Sequence, residues 1–333
     1  MASKTLNYLA GGPDGQIRVK TSVRAIGRLE AVVRITHCGV CGTDSHDRTH
    51  GCGLGHEGVG FVEEIGPDVT AFQVGQRCCG DCRECSAGYR QYCPNALGQK
   101  YGELEQGAFG DYVVRHQDFL YPIPDRMESK HAAPLLCAGG AVFGALCESG
   151  TQSTDRVGVV GLGGLGHLAV MYARAMGCEV VTFSTREEKR ADAIALGATE
   201  FRLLQPDGQA GNATPANLNV ILLCGGQITN LDLIMPLLAP RAKILPLVIQ
   251  GEPIVIPYLS FLIPGHRIIA NTSATREKQV AALTFADRHN IKPWVEEYPM
   301  SADGLAEALT VLASGRSRYR GVLSSELQGA SLK

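Results

Sequence analysis

The sequence predicts an α/β fold in two parts, a β-rich domain and a doubly wound parallel-sheet domain. Three observations predict it. Val157-Gly-Val-Val160 leads into Gly161-Leu-Gly-Gly-Leu-Gly166, and His167 to Met176 leads out with helical character, so the stretch reads as strand, tight turn, helix. A second apolar strand, Glu179-Val-Val-Thr-Phe183, follows at the distance of a βαβ unit. The stretches before residue 37 and from 107 to 124 instead carry short alternating runs, such as Leu29-Glu-Ala-Val-Val-Arg-Ile-Thr36, broken by glycine and polar clusters.

The bulk numbers bound the function. At 333 residues the chain divides naturally into two domains, each able to bury a core. A net charge of −2 sets up no basic field, so no nucleic-acid partner is expected. No apolar run is long enough to span a bilayer, and the first residues hold no apolar signal core, so the expectation is a cytoplasmic protein with no membrane partner. Twelve cysteines in such a chain point to metal ligands rather than disulfides.

Taken in order, the first chemical cluster is His37-Cys-Gly-Val-Cys-Gly-Thr-Asp-Ser-His46, and the second is Gly55-His-Glu-Gly-Val-Gly60. A thiolate, an imidazole and a more distant cysteine suit a catalytic zinc that keeps one position open. Next come Cys79, Cys82, Cys85 and Cys93, spaced C-x2-C-x2-C-x7-C. Four thiolates on one lobe close a tetrahedron and make a structural zinc site. An iron–sulfur cluster is the rival, but its cysteine run places the fourth ligand after three residues rather than seven. Cys78 is out of register with the lobe. His131 to Leu146 reads as a buried helix, in which Cys137 is either core or the third ligand of the catalytic zinc.

The nucleotide-binding part follows, from about 139 to 272. Gly161 permits the turn, Gly163 lets the backbone approach a pyrophosphate, and Gly166 lets helix pack on strand. Leu162, Gly164 and Leu165 complete the turn, and the helix start offers free N–H groups to phosphate. Further strands are expected at Asn219–Cys224, Ala242–Val248 and Arg267–Asn271, with apolar crossover helices between them. The tail, 273–333, is expected to return to the first domain. At the end of the second strand a carboxylate would repel a 2′-phosphate; Ser184 and Thr185 stand there instead, with Arg186 and Lys189 close behind. Hydroxyls and cations at that place favour NADP(H) over NAD, although Glu187 and Glu188 weigh against them.

Jointly, Cys-Gly-Thr-Asp (41–44), Gly-His-Glu (55–57), the four-cysteine lobe, Ala133-Pro-Leu-Leu-Cys-Ala-Gly139, the glycine turn and Arg318-Tyr-Arg-Gly-Val-Leu323 resemble the zinc-dependent medium-chain dehydrogenase/reductases. Within them the chain most resembles the cinnamyl-alcohol-dehydrogenase-like branch, especially fungal members. The resemblance covers nearly the whole chain. It implies a GroES-like catalytic domain over 1–138 and a Rossmann domain over 139–272. It also implies two Zn2+ per chain and reversible hydride transfer between NADP(H) and a small aldehyde or alcohol.

The resemblance further assigns Cys41, His56 and Cys137 to the catalytic zinc, with Glu57 close enough to approach it. Asp44 would orient His56, Thr43 would hydrogen-bond the substrate oxygen, and His46 would relay the proton. Arg320 lies in a shared motif without an assigned role. A homodimer is expected, with Leu231 to Ile263 supplying its sheet edge, and Phe261 and Leu262 are candidates for the substrate pocket. The 47–54 loop is shorter than in the family, which predicts a more open pocket and brings His50 and Cys52 near the metal as competitors.

Two other readings compete. One is reduction of a conjugated C=C or an iminium with zinc dispensable. The other is a non-catalytic protein that binds zinc and nucleotide. A step in fungal specialised metabolism suits the resemblance.

Overall fold

The structure is a computed structural model that describes residues 2–80, 105–204, 216–226 and 231–326. Cys82, Cys85, Cys93 and the side chain of Cys79 lie outside the described residues, and with them the predicted structural zinc site.

The chain forms two compact units, one of residues 1–137 and 275–333, the other of residues 138–274. The first opens with an antiparallel hairpin of β1 (Ser3–Gly11) and β2 (Ile17–Ala25), paired from Ser3↔Ala25 to Gly11↔Ile17. Then come β3 (Glu30–Val40), α1 (Gly42–Asp47), β4 (Glu57–Ile65), β5 (Arg77–Gly80), β6 (Tyr112–His116), β7 (Leu120–Pro122) and α2 (Ser129–Pro134). The chain passes through a π-turn, Leu135–Gly139, into α3 (Gly140–Glu148) of the second unit. By length and composition the continuous helical stretch Ser129–Glu148 could cross a membrane, but 78% of its apolar window is buried within the protein, the mark of a core helix.

The second unit continues with β8 (Arg156–Val160), α4 (Gly166–Ala175), β9 (Glu179–Ser184), α5 (Arg190–Ala195), β10 (Glu200–Leu203), β11 (Leu218–Leu223), β12 (Leu238–Pro246), α6 (Tyr258–Leu262) and β13 (Arg267–Ile268). Its six strands are all parallel, in the order β10-β9-β8-β11-β12-β13. The order reverses between β8 and β11, the switch point where doubly wound sheets bind ligands. β8, β9 and β11 are almost wholly buried, which is why they read as continuous apolar runs rather than as alternation. In the β11–β12 connection the described residues 231–237 hold a short 3-10 turn, Met235–Leu237. One expectation needs correction: within 231–263, β12 lies inside the sheet and supplies no edge, the edge strands being β10 and β13.

The tail returns to the first unit as α7 (Arg276–Arg288), β14 (Val295–Pro299), α8 (Ala302–Ala313) and β15 (Arg320–Ser324). Thr275 and Ser301 cap the two helices by accepting from the backbone N–H groups of Lys278 and Gly304. The larger sheet runs β14-β15-β3-β4-β5-β7, with β6 also on β3. β3 is the hub of this sheet and is buried on both faces over its C-terminal half. Its core partners include Leu9, Val62, Phe109, Leu305 and Leu323.

Candidate active site and nucleotide-binding turn

Where β3 ends, Cys41 begins α1. Its sulfur accepts the N–H of Thr43 at 3.3 Å, while its own N–H donates to Asp44 Oδ2 at 2.9 Å. The sulfur and the carboxylate thus cap the helix reciprocally, which fixes the direction of the Cys41 side chain. Asp44 is 2% exposed, and its other oxygen accepts from the Gly55 N–H and stands 3.3 Å from His56 Nδ1. That contact turns His56 Nε2 toward Cys41 Sγ, 3.2 Å away. Cys41, His56, Glu57 and Cys137 each offer one ligand atom, all within 4.8 Å of one another. Tetrahedral zinc with sulfur and nitrogen ligands sets its ligand atoms roughly 3.5–3.8 Å apart, so this donor set fits it.

The electrostatics agree. The hydrogen bond from Cys137 draws the Cys41 thiol well below its ordinary value, overcoming the cost of burial with help from His56. Cys137 is pushed up by the same bond and by burial. Burial pulls His56 down, but Cys41 and Asp44 outweigh it and leave the imidazole well above its usual range. Two thiol sulfurs, an imidazole and a carboxylate form a site that demands a cation.

Glu57 is wholly buried at the start of β4. It lies opposite Gly39 of β3, and its Oε2 occupies the space of the missing side chain: a Cβ on Gly39 would lie 1.8 Å from it. Oε2 has no hydrogen-bond partner among the described residues, while Oε1 accepts from the Arg320 guanidinium. Oε1 also stands 3.9 Å from His56 Nε2, so the carboxylate reaches the cluster through the oxygen that Arg320 holds. Arg320, 5% exposed, supplies the compensating charge. The sequence offers its motif but no partner for it.

The remaining predicted residues divide. Thr43 is half-buried and His46 exposed, one turn apart on the same side of α1; no hydrogen bond joins their side chains. His50 and Cys52 are not competitors for the metal, which corrects the expectation. His50 faces Asp47 at 3.4 Å, and the Cys52 sulfur lies 3.9 Å from the Asp47 carbonyl, so the short loop folds back on α1. Cys38 is buried on the opposite side of β3 from Gly39 and takes no part.

In the second unit the glycines divide their work. Gly161 has φ +91°, and a Cβ there would sit 2.2 Å from Gly225. A Cβ on Gly166 would sit 1.8 Å from the Gly161 carbonyl. A Cβ on Gly163 would meet nothing within 4 Å, which leaves open the approach that a pyrophosphate needs. Leu162, Gly164 and Leu165 form the rest of the turn into α4. At the end of β9, the buried Ser184 hydroxyl accepts the Arg186 N–H at 3.2 Å, and Thr185 and Arg186 are exposed. Glu187 is tied to Arg190 by a bidentate pair at 2.5 and 3.1 Å, so it no longer opposes Arg186 and Lys189 as the sequence suggests. Phe261 packs partly buried against the second unit's core, and Leu262 is 52% exposed beside it on α6.

Comparison with known proteins gives a consistent picture. The alcohol dehydrogenase GroES-like domain family matches residues 27–125, and the zinc-binding dehydrogenase family matches residues 164–288. A probable cinnamyl alcohol dehydrogenase of Oryza sativa subsp. japonica is 33% identical, over 96% of this chain and 93% of its own. An NADP-dependent alcohol dehydrogenase of Saccharomyces cerevisiae is 30% identical over 86% of each chain. The solved structure of a cinnamyl alcohol dehydrogenase from Sorghum bicolor superposes with a TM-score of 0.89 at 29% identity, covering 99% of both chains.

Proposed function

The chain belongs to the zinc-dependent medium-chain dehydrogenase family, in its cinnamyl-alcohol-dehydrogenase-like branch, and on that premise we propose that it interconverts a small alcohol and its aldehyde with NADP(H). The observation that carries this reading is the convergence of Cys41, His56, Glu57 and Cys137, with Asp44 and Arg320 holding two of them from behind.

In this reading Cys41, His56 and Cys137 hold the zinc, with the Glu57 carboxylate in reach of it. Bound zinc supplies a Lewis acid toward a carbonyl or alcohol oxygen, and NADP(H) supplies or accepts the hydride. The protein's residues do the rest. Asp44 keeps His56 in one orientation and tautomer. Thr43, anchored through its N–H to the Cys41 sulfur, presents a hydroxyl that donates to the substrate oxygen. His46, exposed one turn on, exchanges the proton with solvent. The open face of Gly163 and the start of α4 take the pyrophosphate. Ser184, Thr185, Arg186 and Lys189 take the 2′-phosphate, the two cations by charge-assisted hydrogen bonds. Cys79, Cys82, Cys85 and Cys93 remain our proposal for a second, structural zinc.

We place the enzyme in a reducing compartment such as the cytoplasm, which suits a chain whose described cysteines are all free. A homodimer joined at the edge strand β13 accounts for the exposed apolar side chains near it, among them Ile249, Val255, Tyr258, Leu259 and Ile263.

The test is product analysis with NADPH and a conjugated aldehyde. Formation of the allylic alcohol supports the reading. Formation of the saturated aldehyde would replace it with C=C reduction, and tight NADPH binding without turnover would replace it with a binding protein.

A further inference from the structure

The helix that carries Cys137 is irregular at the point where it matters. Pro134 in α2 has no N–H to give to the carbonyl one turn back, and the chain then widens into the π-turn Leu135–Gly139, with Cys137 at its middle. A π-turn changes where its carbonyls and side chains point, and such turns gather at functional sites.

One side chain reaches into this turn from outside. Gln279 of α7 donates from Nε2 to the Leu135 carbonyl at 2.9 Å, across 144 residues of sequence. Its own place is fixed, because its N–H bonds the carbonyl of the capping residue Thr275 at 2.8 Å. Gln279 is 0% exposed, and its Oε1 has no hydrogen-bond partner among the described residues. A glutamine buried with one end unsatisfied is costly where an apolar residue would pack without penalty. Its amide therefore has a use, and the single bond it makes falls two residues before the sulfur that completes the cluster.

We propose that Gln279 is a positioning residue for the metal site: through the Leu135 carbonyl it holds the π-turn in the one winding that aims the Cys137 sulfur at Cys41 and His56. The inference rests on reading that cluster as a metal site. A ligand atom must be placed to within a few tenths of an ångström, and partners outside the ligand shell govern affinity in this way.

The experiment is a titration of metal-depleted full-length protein with Co2+, read by the thiolate-to-cobalt absorption band. Subtracting the same titration of Cys137→Ser isolates the band that belongs to Cys137, whatever other thiols bind cobalt. Gln279→Met removes the donor and nearly keeps the volume. We expect the midpoint of the Cys137-dependent band to rise about 10–100-fold, with less intensity at saturation. Gln279→Asn, which keeps the amide but shortens its reach, is the second variant should the first not fold, with the same shift expected. A midpoint within about twofold of wild type in the folded variant, alongside a lowered melting temperature of the metal-free protein, would make Gln279 a packing residue and overturn the inference alone. Absence of any Cys137-dependent band in the wild type would overturn the metal reading itself, and the inference with it.

Discussion

Glu57 and Arg320 form an ion pair at the heart of the first unit, with side chains 0% and 6% exposed. They stand at the starts of β4 and β15, which flank β3 on its two sides. Burial pushes the Glu57 carboxyl up, and the Arg320 guanidinium works against that push. Removing the cation alone leaves a buried carboxylate beside two sulfurs. Arg320→Met is therefore expected to lose about 3–5 kcal/mol of stability in denaturant titration. The double variant Arg320→Met, Glu57→Met should recover much of it. A loss below about 1 kcal/mol in the single variant would show that water or rearrangement already compensates Glu57.

The glycine turn gives a contrast between two similar changes. Gly161→Ala must place a Cβ 2.2 Å from Gly225 at φ +91°, so it is expected to destabilise the protein by more than about 2 kcal/mol. Gly163→Ala meets nothing within 4 Å and should leave the melting temperature nearly unchanged. It should nevertheless weaken NADPH binding about tenfold or more, because the added methyl stands where the pyrophosphate approaches. Equal NADPH affinity in Gly163→Ala and wild type would remove Gly163 from the cofactor site.

Cofactor choice is tested at Ser184. In the proposed binding mode a carboxylate there would face the 2′-phosphate and reinstate the pattern that favours NAD. Ser184→Asp should lower kcat/KM for NADPH about 10–100-fold and change that for NADH much less. An unchanged NADPH to NADH ratio would mean that the 2′-phosphate is held elsewhere.

A buried histidine, His37, and a half-buried one, His131, set a pH dependence of stability. Burial lowers His37, which is bonded to Thr36 Oγ1 at 3.0 Å and Ser324 Oγ at 3.3 Å and faces Glu326, Glu297, Lys130 and Arg77. It lowers His131 as well, which donates to the Pro293 carbonyl and faces Glu128, Lys130 and Lys292. In both, the folded state binds fewer protons than the unfolded chain between the lowered value and about 6.5. Stability is therefore complete above about pH 6.5 and falls as the pH drops below it. His37→Asn should reduce that slope by up to about one proton. A slope unchanged in the variant would show that His37 titrates normally in the fold.

The legible parts of this chain are those whose signal is local. The glycine turn, β8 and β9 all lie between Arg156 and Ser184 and carry their own pattern, and Cys41, Asp44 and His56 sit in two short motifs. β10 escapes because Glu200-Phe-Arg-Leu203 is short and half charged, its Glu200 being paired with Arg156 and Arg202. The partner of Arg320 escapes because it lies 263 residues away and is chosen by strand register. The His50 and Cys52 expectation fails for the opposite reason: nearness in sequence says little once α1 and its loop turn back on Asp47. The π-turn at Cys137 follows a proline that the sequence shows, but the bond that holds it comes from α7.

We propose that aldehyde reduction depends on a zinc held by Cys41, His56 and Cys137. The most direct test is zinc content per chain in purified wild type and Cys41→Ser, with NADPH-dependent aldehyde reduction measured on the same samples. Two zincs are expected in the wild type and one in the variant, with activity lost along with the missing metal. Equal zinc content in both proteins, or full activity in a variant that has lost one zinc, would contradict it.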